Sequence, residues 1–206
     1  KKGYEWRYQI QITTMGGTEK QKRYISSIES RVINNENTHI QRSLTGTLLL
    51  YRKTDAGVER VGYLIANGVT EELIEDAHLI MPAKTETGIE WESLALSQTL
   101  KKKGVPVDTV GFQILAKIPV KNRIESTDAV IKVPAGRFDN CIEIYTSGFA
   151  FHSGSPFNTR TLIEIKQTKW YAPGVGLIKS SLVETSTSDV FARGEIIVEL
   201  ESYSAP

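Results

Sequence analysis

The sequence predicts a mainly β protein of ten or more antiparallel strands, in one continuous sheet or two packed half-sheets. Two observations carry this. Apolar residues recur with a period of two along most of the chain. The breaks between these runs have the residue chemistry of tight turns, and helix patterns are scarce.

The first strand is the clearest. In Glu5–Thr14, Trp6, Tyr8, Ile10 and Ile12 point one way, and Glu5, Arg7, Gln9 and Gln11 the other. That is the alternation of a half-buried antiparallel strand. Strand candidates follow at 19–33, after "MGGT" at 15–18, and at 41–53 and 58–66, parted by "TDAG" at 54–57. "ANGV" at 66–69 offers Asn-Gly, which suits a type I′ turn with two positive-φ positions. The segment 70–81, "TEELIEDAHLIM", then reads as a return strand, although Leu73, Ile74, Ala77 and Met81 also have helical spacing. The segment 91–104 stays open. Leu94 and Leu96 have strand spacing, while Leu100 and Gly104 suit a helix end. Phe112, Ile114, Ala116 and Ile118 form another alternating stripe.

Two turns are better specified. In "VPAGRF" at 133–138, Pro134 fixes φ and Gly136 closes a short hairpin, so 123–133 should pair with 138–150. In "WYAPGVGLIK" at 170–179, Pro173 and Gly174 take the second and third positions of a type II turn. Gly176 then relaxes the next strand at a bulge, joining 160–171 to 176–187. In the last strand Ile196, Val198 and Leu200 alternate with Glu195, Glu199 and Glu201. "GYEW" at 3–6 and "GIEW" at 88–91 share Gly-x-Glu-Trp. The chain thus reads as a single β domain, 1–206, either with two similar halves of about 1–82 and 83–206 or with a chance match.

Composition narrows the function classes. Hydrophobic residues are 40% and charged residues 24% of 206, which excludes wholesale disorder. Lys+Arg 25 against Asp+Glu 24 gives +1, spread without long runs, which argues against a nucleic-acid partner. The densest basic cluster, "LKKKG" at 100–104, reads as a solvated turn. The one cysteine, Cys141, excludes an intramolecular disulfide. No apolar run reaches the roughly 18 residues of a membrane helix. A strand pattern already running by residue 5 predicts that a leader precedes this chain.

No motif carries chemistry. "APGVGLIK" lacks the spacing of a phosphate loop, and a strand rather than a helix follows it. His39, His78 and His152 lie far apart without ligand spacing, so neither a metal nor a cofactor is expected. "FHSGSP" at 151–156 reads as an exposed loop rather than a nucleophile elbow. By parity Cys141 faces away from Ile142 and Ile144, and Asp139 and Glu143 would raise its pKa; it reads as a free, buried or half-buried thiol. The acid pairs Glu71-Glu72 and Glu75-Asp76 read as solvated.

Two stretches carry a family resemblance. "IKVPAGRFDNCIEI" (131–144) resembles V-x-V-P-A-G-x-F-x-x-C before an apolar strand, and "WYAPGVGLIK" resembles Y-A-x-G-V-G-x-[IV]-K. In this order they are similar to a family of exported bacterial proteins, many of them lipoproteins, grouped loosely with the LolA-like lipoprotein carriers. A Gly-x-x-Trp strand like "GIEW" often precedes the motifs there. The match covers about Ile131–Lys179. The resemblance implies a strongly curved antiparallel sheet, a half-barrel with a concave side that can hold apolar material. It also implies export to the periplasm or cell envelope, with an N-terminal lipid on a cysteine upstream of residue 1 as the only membrane attachment. The chain departs from the carriers in lacking clear helices to cover the concave face. No catalytic residues come with the resemblance.

The expected function is that of a non-enzymatic envelope protein. Its partner would be a lipid or apolar small molecule on the concave face, touched by Trp6, Tyr8, Phe112 and Trp170, unless these aromatics simply fill the core. The alternatives are a hydrolase with a site assembled from separate strands, and an interaction module that offers a sheet edge to an envelope protein.

Overall fold

A computed structural model describes residues 3–14, 17–43, 47–67, 70–97, 101–102, 117–153, 160–187 and 191–206. The strands are β1 (Glu5–Thr14), β2 (Gly17–Ile33), β3 (Glu36–Ser43), β4 (Leu48–Thr54), β5 (Gly57–Asn67), β6 (Thr70–Pro82) and β7 (Glu90–Leu96). They continue as β8 (Lys101–Lys102), β9 (Lys117–Val133), β10 (Gly136–Ser153), β11 (Arg160–Ala172), β12 (Gly176–Ser186), β13 (Phe191–Ala192) and β14 (Gly194–Ser204). The described residues contain no helix.

Twelve strands make one antiparallel sheet in the order β6-β5-β4-β3-β2-β1-β14-β12-β11-β10-β9-β7, and β8 pairs separately with β13. Each half of the chain is a meander, and the pairing of β1 with β14 joins the halves. The two edges, β6 and β7, come back together, where the Trp91 indole N–H donates to the Leu79 carbonyl at 3.1 Å. The curved sheet is thus nearly closed into a barrel, one continuous sheet rather than two.

Most predicted strands stand, and 70–81 is a strand. The expected pairing of 123–133 with 138–150 is β9 with β10. Three readings change, and a turn appears at 34–35, where the sequence offered no reading. The run 41–53 is two strands, β3 and β4, with the Ser43 N–H donating to the Thr47 carbonyl at 2.9 Å where the chain reverses. Asn34 and Asn35, at φ 50 and 63, form the β2–β3 turn, since asparagine tolerates left-handed backbone. Within 91–104, Glu90–Leu96 is strand, and Lys101–Lys102 pairs with β13 instead of forming a turn; 98–100 and 103–104 lie outside the described residues. Lastly, Cys141 does not face away from Ile144. The β9–β10 register shifts between Cys141 and Ile144, and both side chains are buried. A bulge resets strand parity, so counting by twos fails across it.

The Pro-Gly turn forms as expected. The Val175 N–H donates to the Ala172 carbonyl at 3.2 Å, with Gly174 at φ 73 between them. Gly176 follows at φ 100, and the β11–β12 register shifts between Trp170 and Tyr171. A Cβ on Gly176 would meet nothing within 4 Å, so only its backbone strain opposes a side chain. Gly176→Val should therefore cost about 1 kcal/mol or more in urea denaturation, and an unchanged midpoint would contradict this.

The two Gly-x-Glu-Trp stretches run alike. Gly3 and Gly88 sit at φ 92 and 89. Their N–H groups donate to the carbonyls of Ser27 and Ile124, whose own N–H groups donate to Tyr4 and Ile89.

The core falls into three clusters. One gathers Tyr8, Val133, Cys141, Ala172, Val175, Ile178 and Leu200. A second holds Ile118, Val120, Ile163, Ile165 and Leu182. The third holds Ile40, Leu48, Leu50 and Leu64.

Candidate functional site

The inside of the curved sheet can be traced by register. Ile124 pairs with Ile144, Ile144 with Lys169, Lys169 with Ser180, Ser180 with Val198, and Val198 with Ile10. Directly paired residues share a face. Ile124, Ile144, Ser180 and Ile10 are all at most 5% exposed, so this row faces inward and Lys169 with it. Two residues on, Tyr171 faces inward as well.

The opposite wall supplies Tyr51 and Arg60, paired with each other on β4 and β5. Six strands lie between β5 and β11 in the sheet, so their side chains can meet only across the interior. They do interact. Burial lowers the Lys169 ammonium to about 8, and the Arg60 guanidinium pushes it the same way. Burial raises Tyr171, with Tyr51 adding to the effect. Burial likewise raises Tyr51 and Tyr8, and Tyr8 feels Tyr171, Tyr51 and Arg23. These phenols stay protonated and able to donate at any physiological pH. Arg23, opposite Tyr8 on β2, is exposed and stands nearer the rim.

Lys169, Tyr171, Tyr51 and Arg60 are desolvated or in electrostatic reach of one another, yet all four keep intermediate exposure. Among the described residues no carboxylate pairs with Lys169, whereas Lys179 on the outer surface pairs with Glu199 at 2.8 Å. His39, also next to Tyr51 in register, has its pKa lowered by burial and lies 2.9 Å from Ser27 Oγ through Nε2.

Other interior polar groups are matched. Thr146 Oγ1 donates to Asn122 Oδ1 at 2.7 Å, and Asn122 Nδ2 donates to Ser93 Oγ at 2.9 Å. Gln167 Nε2 donates to Ser180 Oγ at 3.0 Å. Ser97 Oγ donates to Glu184 Oε2 at 3.2 Å. Below this belt the apolar residues of β9, β11 and β12 pack tightly.

Of the aromatics singled out from sequence, Tyr8 is in electrostatic reach of Tyr171 and Tyr51. Trp6, Tyr8 and Trp170 belong to or pack against the cluster at one end of the sheet, where both motif turns fold in. The Trp6 indole N–H donates to the Val175 carbonyl at 2.8 Å, and the Tyr8 hydroxyl to the Leu177 carbonyl at 2.9 Å. The Ala135 N–H donates to the Leu200 carbonyl at 3.0 Å, which ties in the second turn. The turn residues Pro134, Gly136, Pro173, Gly174 and Gly176 therefore frame a closed end. Phe112 lies outside the described residues. Cys141 is a free, fully buried thiol, raised by burial first and Asp139 second. Of the histidines, His39 is placed above, His78 pairs with Arg60 on β6, and the side chain of His152 lies outside the described residues.

Sequence reasoning missed Lys169, Tyr171, Tyr51 and Arg60. A signal existed for the first. Ile163, Ile165, Gln167, Lys169 and Tyr171 form one alternating stripe, and a lysine at its centre is out of place. Arg60 and Tyr51 gave no such sign.

Among the described residues, grooves also lie away from these side chains. One, of about 460 Å³, is lined by Arg7, Tyr24, Arg42 and Tyr203 among others. The other, of about 820 Å³, crosses the outer face of β7, β9, β10 and β11 between Leu94, Phe149, Lys121 and Glu164.

No family model and no curated protein matches the chain. Solved structures similar to it include a presumed exported protein with a YmcC-like fold from Bacteroides fragilis, at 11% identity and TM-score 0.45, covering 100% of this chain and 97% of that one. A presumed lipoprotein from Parabacteroides distasonis is similar at 11% identity and TM-score 0.40, covering 99% of this chain and 96% of that one.

Proposed function

We propose that the protein is a non-enzymatic, exported cell-envelope protein that holds a small molecule inside its curved sheet. One observation carries the reading. Side chains from distant strands of the curved sheet, Lys169 and Tyr171 against Tyr51 and Arg60, are desolvated and in electrostatic reach of one another. Ionisable groups perturbed by desolvation in a concavity mark a candidate site. Lys169 and the phenols of Tyr171 and Tyr51 offer hydrogen-bond donors there, which suits holding a ligand. Export and the envelope are supported by the two motif stretches at 131–144 and 170–179. In this reading Trp6 and Trp170 close one end of the site, and Tyr8 borders its contents.

The test is native mass spectrometry of the protein purified from its host's envelope, before and after delipidation. A stoichiometric adduct that delipidation removes is expected. A protein that carries no adduct, and takes up nothing from a total envelope extract, would overturn the reading.

A further inference from the structure

We propose that the outer face of β7, β9, β10 and β11 docks a second copy of this chain, with Phe149 of each copy against Pro119 of the other and Glu92 against Lys166. This goes beyond the interior-binding reading and does not depend on it.

Apolar side chains gather here on a face that meets water. Leu94, Phe149 and Phe151 are 55%, 60% and 51% exposed. Leu94 and Phe149 border the groove of about 820 Å³, with Pro119 on the strand between them. Phe151 meets Phe149 edge-on at 6.3 Å between ring centres, and the Arg160 guanidinium lies 3.7 Å from the Phe151 ring centre. Arg160 thus covers part of Phe151, and Phe149 is the more exposed of the pair. A half-buried antiparallel sheet keeps its solvent face polar, so a contiguous apolar patch on that face marks an interaction surface.

The charge pattern names the partner. Register places Glu92, Lys121, Ser147 and Lys166 in one row across the four strands. Lys121 is taken by Glu90. Among the described residues neither Glu92 nor Lys166 has an ion-pair partner. They stand three strand spacings apart, roughly 14 Å, too far to pair with each other. Consider a two-fold axis in the interface, parallel to the strands and midway between β9 and β10. It lays β7 of each copy on β11 of the other, and β9 on β10. Glu92 then faces Lys166 twice over, and Pro119 faces Phe149 at the centre. Glu164, held by the Thr185 hydroxyl at 3.3 Å, falls at the rim. A patch complementary to itself is what two-fold pairing requires. The apolar centre supplies affinity and the end charges set the register. The outer face of a curved sheet is convex, so the contact is small and the dimer dissociates in the micromolar range or above.

The experiment is sedimentation velocity over a wide micromolar concentration range. It compares wild type, Phe149→Ser, Glu92→Lys, Lys166→Glu and an equimolar mixture of the last two. All three positions are exposed, and circular dichroism checks that each variant folds. Wild type should dimerise reversibly. Phe149→Ser should associate roughly tenfold or more weakly. Each charge reversal alone sets like charges against each other and should weaken association by about tenfold. The Glu92→Lys chain carries two cations at these positions and the Lys166→Glu chain two anions. Their mixture should therefore regain association to within about threefold of wild type, as a heterodimer. A wild type that stays monomeric, a dimer indifferent to all three substitutions, or a mixture that stays monomeric would overturn the proposal. Flotation of monomeric wild type with phosphatidylglycerol–phosphatidylethanolamine vesicles, lost in Phe149→Ser, would assign the patch to a lipid surface and overturn it as well.

Discussion

Gly148→Val should lower stability by about 3 kcal/mol or more, or leave the chain unable to fold. Gly148 lies in mid-β10, paired with Val120 on one side and Ile165 on the other. A Cβ there would collide with the Pro119 carbonyl oxygen and sit 2.8 Å from Val120 Cγ1 and 2.9 Å from Val120 Cα. Two of the three are backbone atoms and cannot swing aside. Relief would mean parting β9 from β10 where Val120 enters the second core cluster. Gly174→Ala is a useful contrast, because its Cβ would meet nothing within 4 Å and only its φ of 73 opposes it. It should cost about 1 kcal/mol. Chemical denaturation followed by far-ultraviolet circular dichroism separates the two. Equal midpoints would show that the β9–β10 register is not as described.

Trp6→Ala should cost about 3 kcal/mol or more. The ring packs on the cluster where both motif turns close one end of the sheet, and it stacks on Tyr4 at 5.6 Å between ring centres. Its indole N–H holds the Val175 carbonyl at 2.8 Å. Truncation opens a void and releases that carbonyl together. Trp6→Phe keeps most of the ring and loses the hydrogen bond, so it should cost about 1–2 kcal/mol. If Trp6→Ala proves as mild as Trp6→Phe, the indole does not anchor the turn.

Much of the fold was legible because strand formation leaves local marks. Trp6, Tyr8, Ile10 and Ile12 announce β1 by alternation alone, and Pro173-Gly174 announces its turn because only certain residues accept those dihedrals. The misreadings have local causes too. The run 41–53 holds no Asn-Gly or Pro-Gly pair to mark its division, Asn34-Asn35 carried no glycine, and the bulges near Cys141 reset the count. The candidate site was less legible. Lys169 sits where an apolar side chain belongs, a visible anomaly that alternation could have flagged. Tyr51 and Arg60 look like ordinary members of strands with mixed faces.

The sequence by itself determined the β class, most strands, the two motif turns and the resemblance to exported proteins. These depend on residues within a few positions of one another. The tertiary structure alone decided that the sheet curls until β6 approaches β7, and that β5 therefore faces β11. Curvature accumulates as a small twist at each strand pair, so no single stretch encodes it. That is why the meeting of Arg60 with Lys169, more than 100 positions apart in the chain, has no sequence signature of its own.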